Sequence, residues 1–387
     1  MPKNVCVIGA GVSGLTSAVR LAEDKHTVTI VAKEHGQETT SSVAAAFWYP
    51  FWMGHEPVHD WYDWNWAAET YRKLETLPRT PETGISKVTL NEYFDWTMLD
   101  KEIEQVVNAM WWQDAQWNLP DLQFQPQMNA HDVSIRRVKN YQFKRGISFS
   151  TFVVNMADYL SYLRAWAERL HVKFEKLRSV NRISDLLTEC DTVVNCSGIG
   201  AKALVDDDRP PGPTGRRGPH RLEAYEGVVL RLTPLNEVRD ISLVHTGPFP
   251  SEPPRANYFG GKPLYIVPRS GTSPDIIIGG STTHETEFLE PERENWKVQH
   301  LPWDDIPANH WIRKYYANRI YDDCCAFEKS LAGAKVLEAK VGYRPVPHPK
   351  VRLEREDKII HNYGHGGAGV TLSWGCAERV SRLVEES

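Results

Sequence analysis

Val5-Cys-Val-Ile8, Gly9-Ala-Gly11-Val-Ser-Gly14 and Leu15-Thr-Ser-Ala-Val-Arg-Leu-Ala-Glu23 follow one another at the start of the chain. The first is an apolar run of the length of a buried parallel strand. The second is a G-x-G-x-x-G turn, and the third has apolar residues on neighbouring turns of a helix. Thr27-Val-Thr-Ile-Val31 then supplies a second strand. Strand, glycine turn, helix and strand in about thirty residues form the context that gives this motif its meaning, a dinucleotide-binding unit. Gly9 allows the tight turn, Gly11 keeps side chains away from a pyrophosphate, and Gly14 lets the helix lie close on the strand. With Val12 and Ser13 between them, these residues are candidate cofactor contacts, because the helix start offers free N–H groups and a positive dipole end.

Working outward, Lys33 and Glu34 follow the second strand, where an acidic residue would take a ribose hydroxyl. Glu34 stands at about the right distance, although a surface charge pair reads equally well. Lys33 leaves room for NADP-like recognition. Thr39-Thr-Ser-Ser-Val-Ala-Ala-Ala-Phe-Trp-Tyr-Pro50 comes next. The hydroxyls of Thr40, Ser41 and Ser42, the small Ala45 and Ala46, and Phe47 suit a loop pressed against phosphates and a flat ring system. Farther on, Asp191-Thr-Val-Val-Asn-Cys-Ser-Gly198 reads as another strand of the same sheet, with Ser197 and Gly198 abutting the nucleotide. In the last fifty residues, Gly364, Gly366, Gly367 and Gly369 precede Val370, Thr371 and a helix. That is a second backbone-rich surface at a helix start, suited to a flavin.

The 387 residues suffice for two domains, with 41% hydrophobic and 25% charged residues and a net charge of −5. Mixed signs argue against nucleic acid as a partner, and no apolar run approaches the roughly 20 residues of a membrane helix. The start of the chain lacks a secretory pattern and the end lacks a peroxisomal one, so the expected location is cytoplasmic. The six cysteines, Cys6, Cys190, Cys196, Cys324, Cys325 and Cys376, contain no C-x-x-C pair, and buried free thiols are expected. His361 and His365 lack the spacing of a metal site, and no metal is expected. Of the 14 tryptophans, most are expected in the core, with a few lining a substrate pocket.

The periodicity predicts a helix near 58–77, strands near Ile85–Phe94 and Tyr141–Val154, and an amphipathic helix over Met156–Leu170 leading into Val172-Lys-Phe174. Asp206–Pro219 reads as an exposed connector. Beyond it, strand signals dominate at Gly227–Leu232, Leu264–Pro268 and Ile276–Gly280, with a Pro- and Gly-rich lid over His245–Lys262.

His361-Asn-Tyr-Gly-His-Gly-Gly-Ala-Gly369 with Trp374-Gly-Cys-Ala377 closely resembles the signature of the D-amino-acid oxidase family. Gly342-Tyr-Arg-Pro-Val346, Arg352-Leu-Glu-Arg355, Tyr265-Ile-Val-Pro268, Val43-Ala-Ala with Trp48-x-Pro50, and Val194-Asn-Cys-Ser-Gly198 are similar to further family motifs. The resemblance spans almost the full chain. It implies an α/β fold, with a Rossmann-like FAD-binding domain over 1–57, 155–208 and 340–387. A second, mainly antiparallel β substrate-binding domain would cover 58–154 and 209–339. It implies non-covalent FAD, an amino-acid substrate, O2 as electron acceptor and a homodimer. Arg344 matches the arginine that pairs with the substrate carboxylate, Tyr265 a tyrosine that also contacts it, and Gly367 the glycine whose carbonyl accepts from the substrate amine. The implied reaction is hydride transfer from Cα to flavin N5, giving hydrogen peroxide, an oxo acid and ammonia.

Three departures stand beside the resemblance. Lys33 occupies a position where relatives often carry an acid. Gly261 replaces a second active-site tyrosine, for which Tyr258 is the candidate substitute. The lid and the Arg209–His220 connector are longer, and Arg255 or Lys262 could pair a second substrate carboxylate. The alternatives are an oxidase for an acidic or specialised amino acid, a flavin-binding protein without oxidase activity, and an NAD(P)-dependent dehydrogenase.

Overall fold

The computed structural model describes residues 1–50, 64–95, 125–128, 136–138, 141–176, 178–205, 221–245, 264–280, 297–348 and 350–386. Among these, the strands are β1 (Asn4–Ala10), β2 (Thr27–His35), β3 (Ile85–Asp95), β4 (Gln125–Met128), β5 (Arg136–Val138), β6 (Tyr141–Val154), β7 (Lys173–Lys176) and β8 (Thr192–Asn195). They continue with β9 (Arg221–Leu232), β10 (Ile241–His245), β11 (Leu264–Arg269), β12 (Asp275–Gly280), β13 (Gln299–Pro302), β14 (Val336–His348), β15 (Arg352–Glu356) and β16 (Ile359–Tyr363). The longer helices are α1 (Val12–Glu23), α2 (Trp64–Thr76), α3 (Met156–Arg169), α4 (Asn318–Phe327) and α5 (Gly369–Glu385).

Two sheets result. One has the order β15-β16-β8-β1-β2-β7, parallel throughout except for the β15–β16 hairpin. Its central strand β1 lies between β2 and β8, so the crevice at its carboxyl end is where such sheets bind ligands. The other has the order β13-β14-β9-β12-β11-β10-β3-β6-β4, with β5 on β6, and is antiparallel apart from the β3–β10 pair. Helix α1 packs between α5 and α3, and Arg20 on α1 clamps α5 through Glu378 at 2.6 Å. In the second sheet, Val267 and Ile277 join the core shared with the first sheet. Their neighbours Ile266, Ile276 and Ile278 point the other way, onto Ile320, Cys324 and Phe327 of α4. This is the two-residue alternation of a sheet covered on both faces.

Strand β14 runs over Val336–His348 through two prolines, and its pairing explains why that is possible. Only Glu338–Val341 of β14 pairs with β13, whereas the strand pairs with β9 as far as His348. Pro345 and Pro347 therefore fall where β14 has a ladder on one side, the setting in which a strand tolerates a missing N–H. The expected boundary at residue 340 cuts through this strand, and the first sheet resumes only at β15. The free-thiol reading also needs correction. Pairing of Val5 with Thr192 brings Cys6 beside Cys190, with Cα atoms 5.9 Å apart, and the two form a disulfide. Cys196, Cys324, Cys325 and Cys376 are free. A separation of 184 residues hid the pair. Gly261, Tyr258, Arg255, Lys262 and the 209–220 connector lie outside the described residues, as do Trp52, Trp61, Trp96, Trp111, Trp112 and Trp117. No helix among the described residues is long and apolar enough to cross a membrane.

Helices α2 and α5 approach so closely at Gly375 that a Cβ there would lie 2.1 Å from the Trp66 carbonyl oxygen. Gly→Ala within an exposed helix stabilises by about 1 kcal/mol. Gly375→Ala is expected to do the opposite, destabilising by about 2 kcal/mol or more through backbone overlap, as measured by chemical denaturation.

Candidate active site

A cavity of about 700 Å³ runs along the carboxyl end of β1 and reaches the second sheet at Arg344 and Tyr265. Gly9 has φ +101°, and a Cβ there would meet the Cys196 carbonyl oxygen at 2.5 Å. Only glycine combines that backbone conformation with that proximity. A Cβ on Gly11 would come within 3.0 Å of Ser41 Oγ, and Ser41 itself accepts from the Val12 N–H at 3.0 Å. Neither α1 nor α5 has a side-chain cap from its N-cap residue or an acid in its first turn. Both helix starts line the cavity, through Gly11, Val12 and Ser13 and through Gly366, Gly367, Gly369 and Val370. Two positive dipole ends with free N–H donors on one cavity are suited to anionic phosphates.

His365 lies beneath this surface. Its Nε2 is 3.0 Å from Asn362 Oδ1, and its Nδ1 is 3.5 Å from Ser13 Oγ. Burial pushes its pKa down to about 4, so at neutral pH one nitrogen donates and the other accepts. At the ribose position, both Lys33 and Glu34 line the cavity. Burial pushes the Glu34 carboxyl up, against the pull of Lys33.

At the other end, Ala45, Ala46, Phe47 and Tyr49 are stitched to β6. Val154 N–H donates to Ala46 O at 2.7 Å, and Trp48 N–H donates to Phe152 O at 2.8 Å. Thr371 on α5 closes the stitch, its Oγ1 accepting from Tyr49 N–H at 3.2 Å and donating to Tyr49 O at 2.9 Å. Two glycines make room for the polar groups opposite. A Cβ on Gly279 of β12 would fall 2.2 Å from Tyr265 Cζ, and one on Gly227 of β9 would fall 2.8 Å from Arg344 Cζ. Among the described residues no carboxylate pairs with Arg344. Its Nη1 donates a long hydrogen bond to Glu226 O at 3.5 Å, and its side chain also hydrogen-bonds the Tyr265 hydroxyl. Burial pushes the Tyr265 phenol up, with partial opposition from the Arg344 charge, so its hydroxyl keeps its proton at neutral pH. A guanidinium fork with no carboxylate partner among the described residues, beside a phenol that keeps its proton, has the chemistry to bind a carboxylate.

A family model described as "FAD dependent oxidoreductase" matches residues 4–383. The chain belongs to that family. A D-amino-acid oxidase of Rubrobacter xylanophilus is 32% identical over 388 aligned positions, covering 98% of this chain and 94% of the relative. The D-aspartate oxidase of Homo sapiens is 27% identical, covering 99% and 94%. In fold, the chain is similar to the glycine oxidase of Bacillus cereus, with a TM-score of 0.67 at 16% identity and coverage of 99% and 95%. It is also similar to the iminodiacetate oxidase of Chelativorans, with a TM-score of 0.64 at 14% identity and coverage of 99% and 95%.

FAD is thus the cofactor of this oxidoreductase, which sets aside the NAD(P) reading that Lys33 left open. The cleft fits it: two helix starts with no N-cap side-chain bond and no first-turn acid face the cavity, and glycines stand where a Cβ would intrude. Of the residues expected to hold cofactor or substrate, four do not line the cavity. Gly14 packs α1 onto β1, where a Cβ would lie 2.0 Å from Gly9 O. Ser42 donates to Gln37 O and Thr39 O, both at 2.8 Å. Thr371 holds Tyr49, and Gly364 packs on Pro347. The sequence reading missed Arg178, Ser179, Val180 and Asn181, which line the cavity beyond edge strand β7 and carry no motif. It also missed Gly227, whose meaning appears only once Arg344 is seen above it.

Gly227→Ala should displace the guanidinium and weaken binding of a simple carboxylate such as butyrate by about tenfold or more. Perturbation of the bound-flavin absorbance reads this, with flavin content unchanged. His365 generates a second expectation. Its folded pKa of about 4 lies below the unfolded value of 6.5, so the unfolded chain binds more protons between those values. The stability it contributes is fully present above pH 6.5 and is lost as pH falls toward 4, amounting to about 2 kcal/mol by pH 5. Denaturation at pH 7 and pH 5 should show this loss, and His365→Gln should reduce it.

Proposed function

We propose that the chain is an FAD-dependent oxidase that oxidatively deaminates a D-amino acid. The observation that carries this reading is the Arg344 fork, without a carboxylate partner among the described residues, beside the protonated Tyr265 hydroxyl in the cavity shared with the α5 glycine loop. In this reading Arg344 binds the α-carboxylate in bidentate fashion, the Tyr265 hydroxyl donates to it, and the Gly367 carbonyl accepts from the amine. These contacts orient Cα, and the walls formed by Phe47, Leu243 and Val229 exclude water. FAD, when bound along the two helix starts, would supply the hydride acceptor and the route by which the electrons reach dioxygen as hydrogen peroxide. The imine that leaves the site hydrolyses to an oxo acid and ammonia. Catalysis then consists of orientation and charge placement, with no side-chain base taking the Cα hydrogen. The D-amino-acid oxidase and D-aspartate oxidase relatives support the substrate class. Cytoplasmic residence and a homodimer belong to the same proposal.

The test is anaerobic titration of the flavin absorbance with D-amino acids, their L-enantiomers and glycine. D-enantiomers should bleach the oxidised bands, with peroxide formed on admitting air. A panel that leaves the bands intact would refute the activity. Arg344→Ala should keep its flavin and lose roughly 10²-fold or more in kcat/KM. Unchanged turnover would refute the carboxylate site.

A further inference from the structure

A chain of buried polar groups runs beneath the two helix starts. Ser13 stands in the first turn of α1, and His365 in the turn before α5, where the Ala368 N–H donates to His365 O at 2.9 Å. Both line the cavity. His365 is 5% exposed, and its ring lies between Ser13 Oγ, 3.5 Å from Nδ1, and Asn362 Oδ1, 3.0 Å from Nε2. The Asn362 amide is fixed in its turn, because its Nδ2 donates to Ser17 Oγ at 3.1 Å and to Cys196 Sγ at 3.6 Å. Its oxygen is therefore the end that faces His365, and Nε2 is the nitrogen that carries the hydrogen of the neutral ring.

That polarity leaves Nδ1 as an acceptor. The single Ser13 hydroxyl proton then points at His365, and the oxygen shows the cavity only lone pairs, the wrong face for a phosphate. A proton on Nδ1 reverses the relay, since the ring then donates to Ser13 Oγ and the hydroxyl is free to donate into the cavity. Electrostatics works in the same sense. A cation here stands against the positive ends of two helices, and burial pushes the His365 pKa down to about 4. An anion over the helix starts favours the charged ring. The groups that face the ring or the Asn362 amide behind it, from α1, the end of β8 and β16, are Ser13, Ser17, Cys196 and Asn362. None is charged, because burial pushes the Cys196 thiol up to about 12. Burial is the one cause of the depressed His365 pKa, so the charged residues elsewhere on the cavity, Lys33, Glu34, Arg178, Lys297 and Arg344, do not set it.

We infer that His365 is a proton-linked positioning residue for the cofactor: binding of the FAD pyrophosphate at the two helix starts draws one proton from solvent onto Nδ1, and the imidazolium turns the Ser13 hydroxyl toward the phosphate. This goes beyond the oxidase reading and does not depend on the substrate. Linkage fixes the sign. A ring that holds its proton more tightly with FAD present makes FAD bind more tightly as pH falls. The acid-induced loss of stability that His365 causes is then a property of the chain without FAD, and the cofactor diminishes it.

The test is titration of the full-length apoprotein with FAD at pH 7 and pH 5, followed by the quenching of flavin fluorescence. Glu34 also lines the cavity, and burial pushes its carboxyl up, so every protein compared carries Glu34→Gln. In that background the Kd for FAD should fall by about tenfold from pH 7 to pH 5. Adding His365→Gln, whose amide stays neutral, should flatten this dependence to within about twofold. Adding Ser13→Ala, which keeps the ring and removes the hydroxyl, should weaken FAD binding by about tenfold at pH 5 and by less than about threefold at pH 7. Calorimetry in two buffers of different ionisation enthalpy should record uptake of more than about half a proton per FAD at pH 5. A pH dependence that survives His365→Gln, or binding at pH 5 without proton uptake, overturns the inference. Should His365→Gln not fold, Ser13→Ala and the calorimetry decide, and an FAD affinity at pH 5 untouched by Ser13→Ala overturns it equally.

Discussion

At Gly9 the backbone of β1 passes so close to that of β8 that a methyl group would stand 2.5 Å from the Cys196 carbonyl oxygen. This close passage holds much of the site in place. It lets β1 turn sharply into α1, with Gly14 bringing the first turn of the helix down onto the turn it has just left. The helix axis is then aimed at the crevice, and its first N–H groups face the same cavity as those of α5. Unsatisfied donors at a buried helix start are costly unless something accepts from them. Ser41 meets part of that need, and the phosphates of a dinucleotide are suited to meet the rest.

Behind the cavity lies a charge network that no motif announced. Arg269 and Asp275, opposite each other on β11 and β12, form a bidentate buried pair at 2.7 and 2.8 Å. Arg269 also donates to Ala44 O at 3.4 Å, next to the stitched alanine segment. Arg231, Lys340 and His300 surround Glu338. Burial alone would raise the Glu338 carboxyl, but the His300 hydrogen bond and the Lys340 and Arg231 charges hold it down to about 2. His300 also reaches Gln37 O at 2.9 Å, so the network ties the second sheet to the loop after β2. Such buried pairs do little for net stability when intact, but losing one partner is costly.

Local pattern carried most of the fold. The first strand, the first helix and the second strand are set by an apolar run, a glycine turn and a helical repeat, and all three stand where those signals lie. The Met156–Leu170 helix was equally plain, since Asn155 caps it and its apolar stripe faces the core. What stayed hidden depends on juxtaposition. Residues 178–181 enter the cavity because β7 pairs beside β2, a consequence of topology rather than composition. Gly227 and Gly279 read as ordinary strand glycines until the side chains above them are known. Pro345 and Pro347 each remove a ladder N–H, and only the one-sided pairing of β14 shows why the strand runs on through them.

One backbone hydrogen bond joins the two halves of the site. Gly366 N–H donates to Pro345 O at 2.9 Å, so the glycine loop before α5 hangs from the residue after Arg344. Strand and loop cannot shift independently without breaking that bond. Two ligands whose sites share a mechanical support are thermodynamically linked, and the linkage is reciprocal. On the proposed reading, a carboxylate that steadies Arg344 would also steady the loop and retard escape of the flavin. The flavin, by fixing the loop, prepares the guanidinium for the carboxylate. On that reading, retention of the prosthetic group and recognition of the substrate form one cooperative equilibrium.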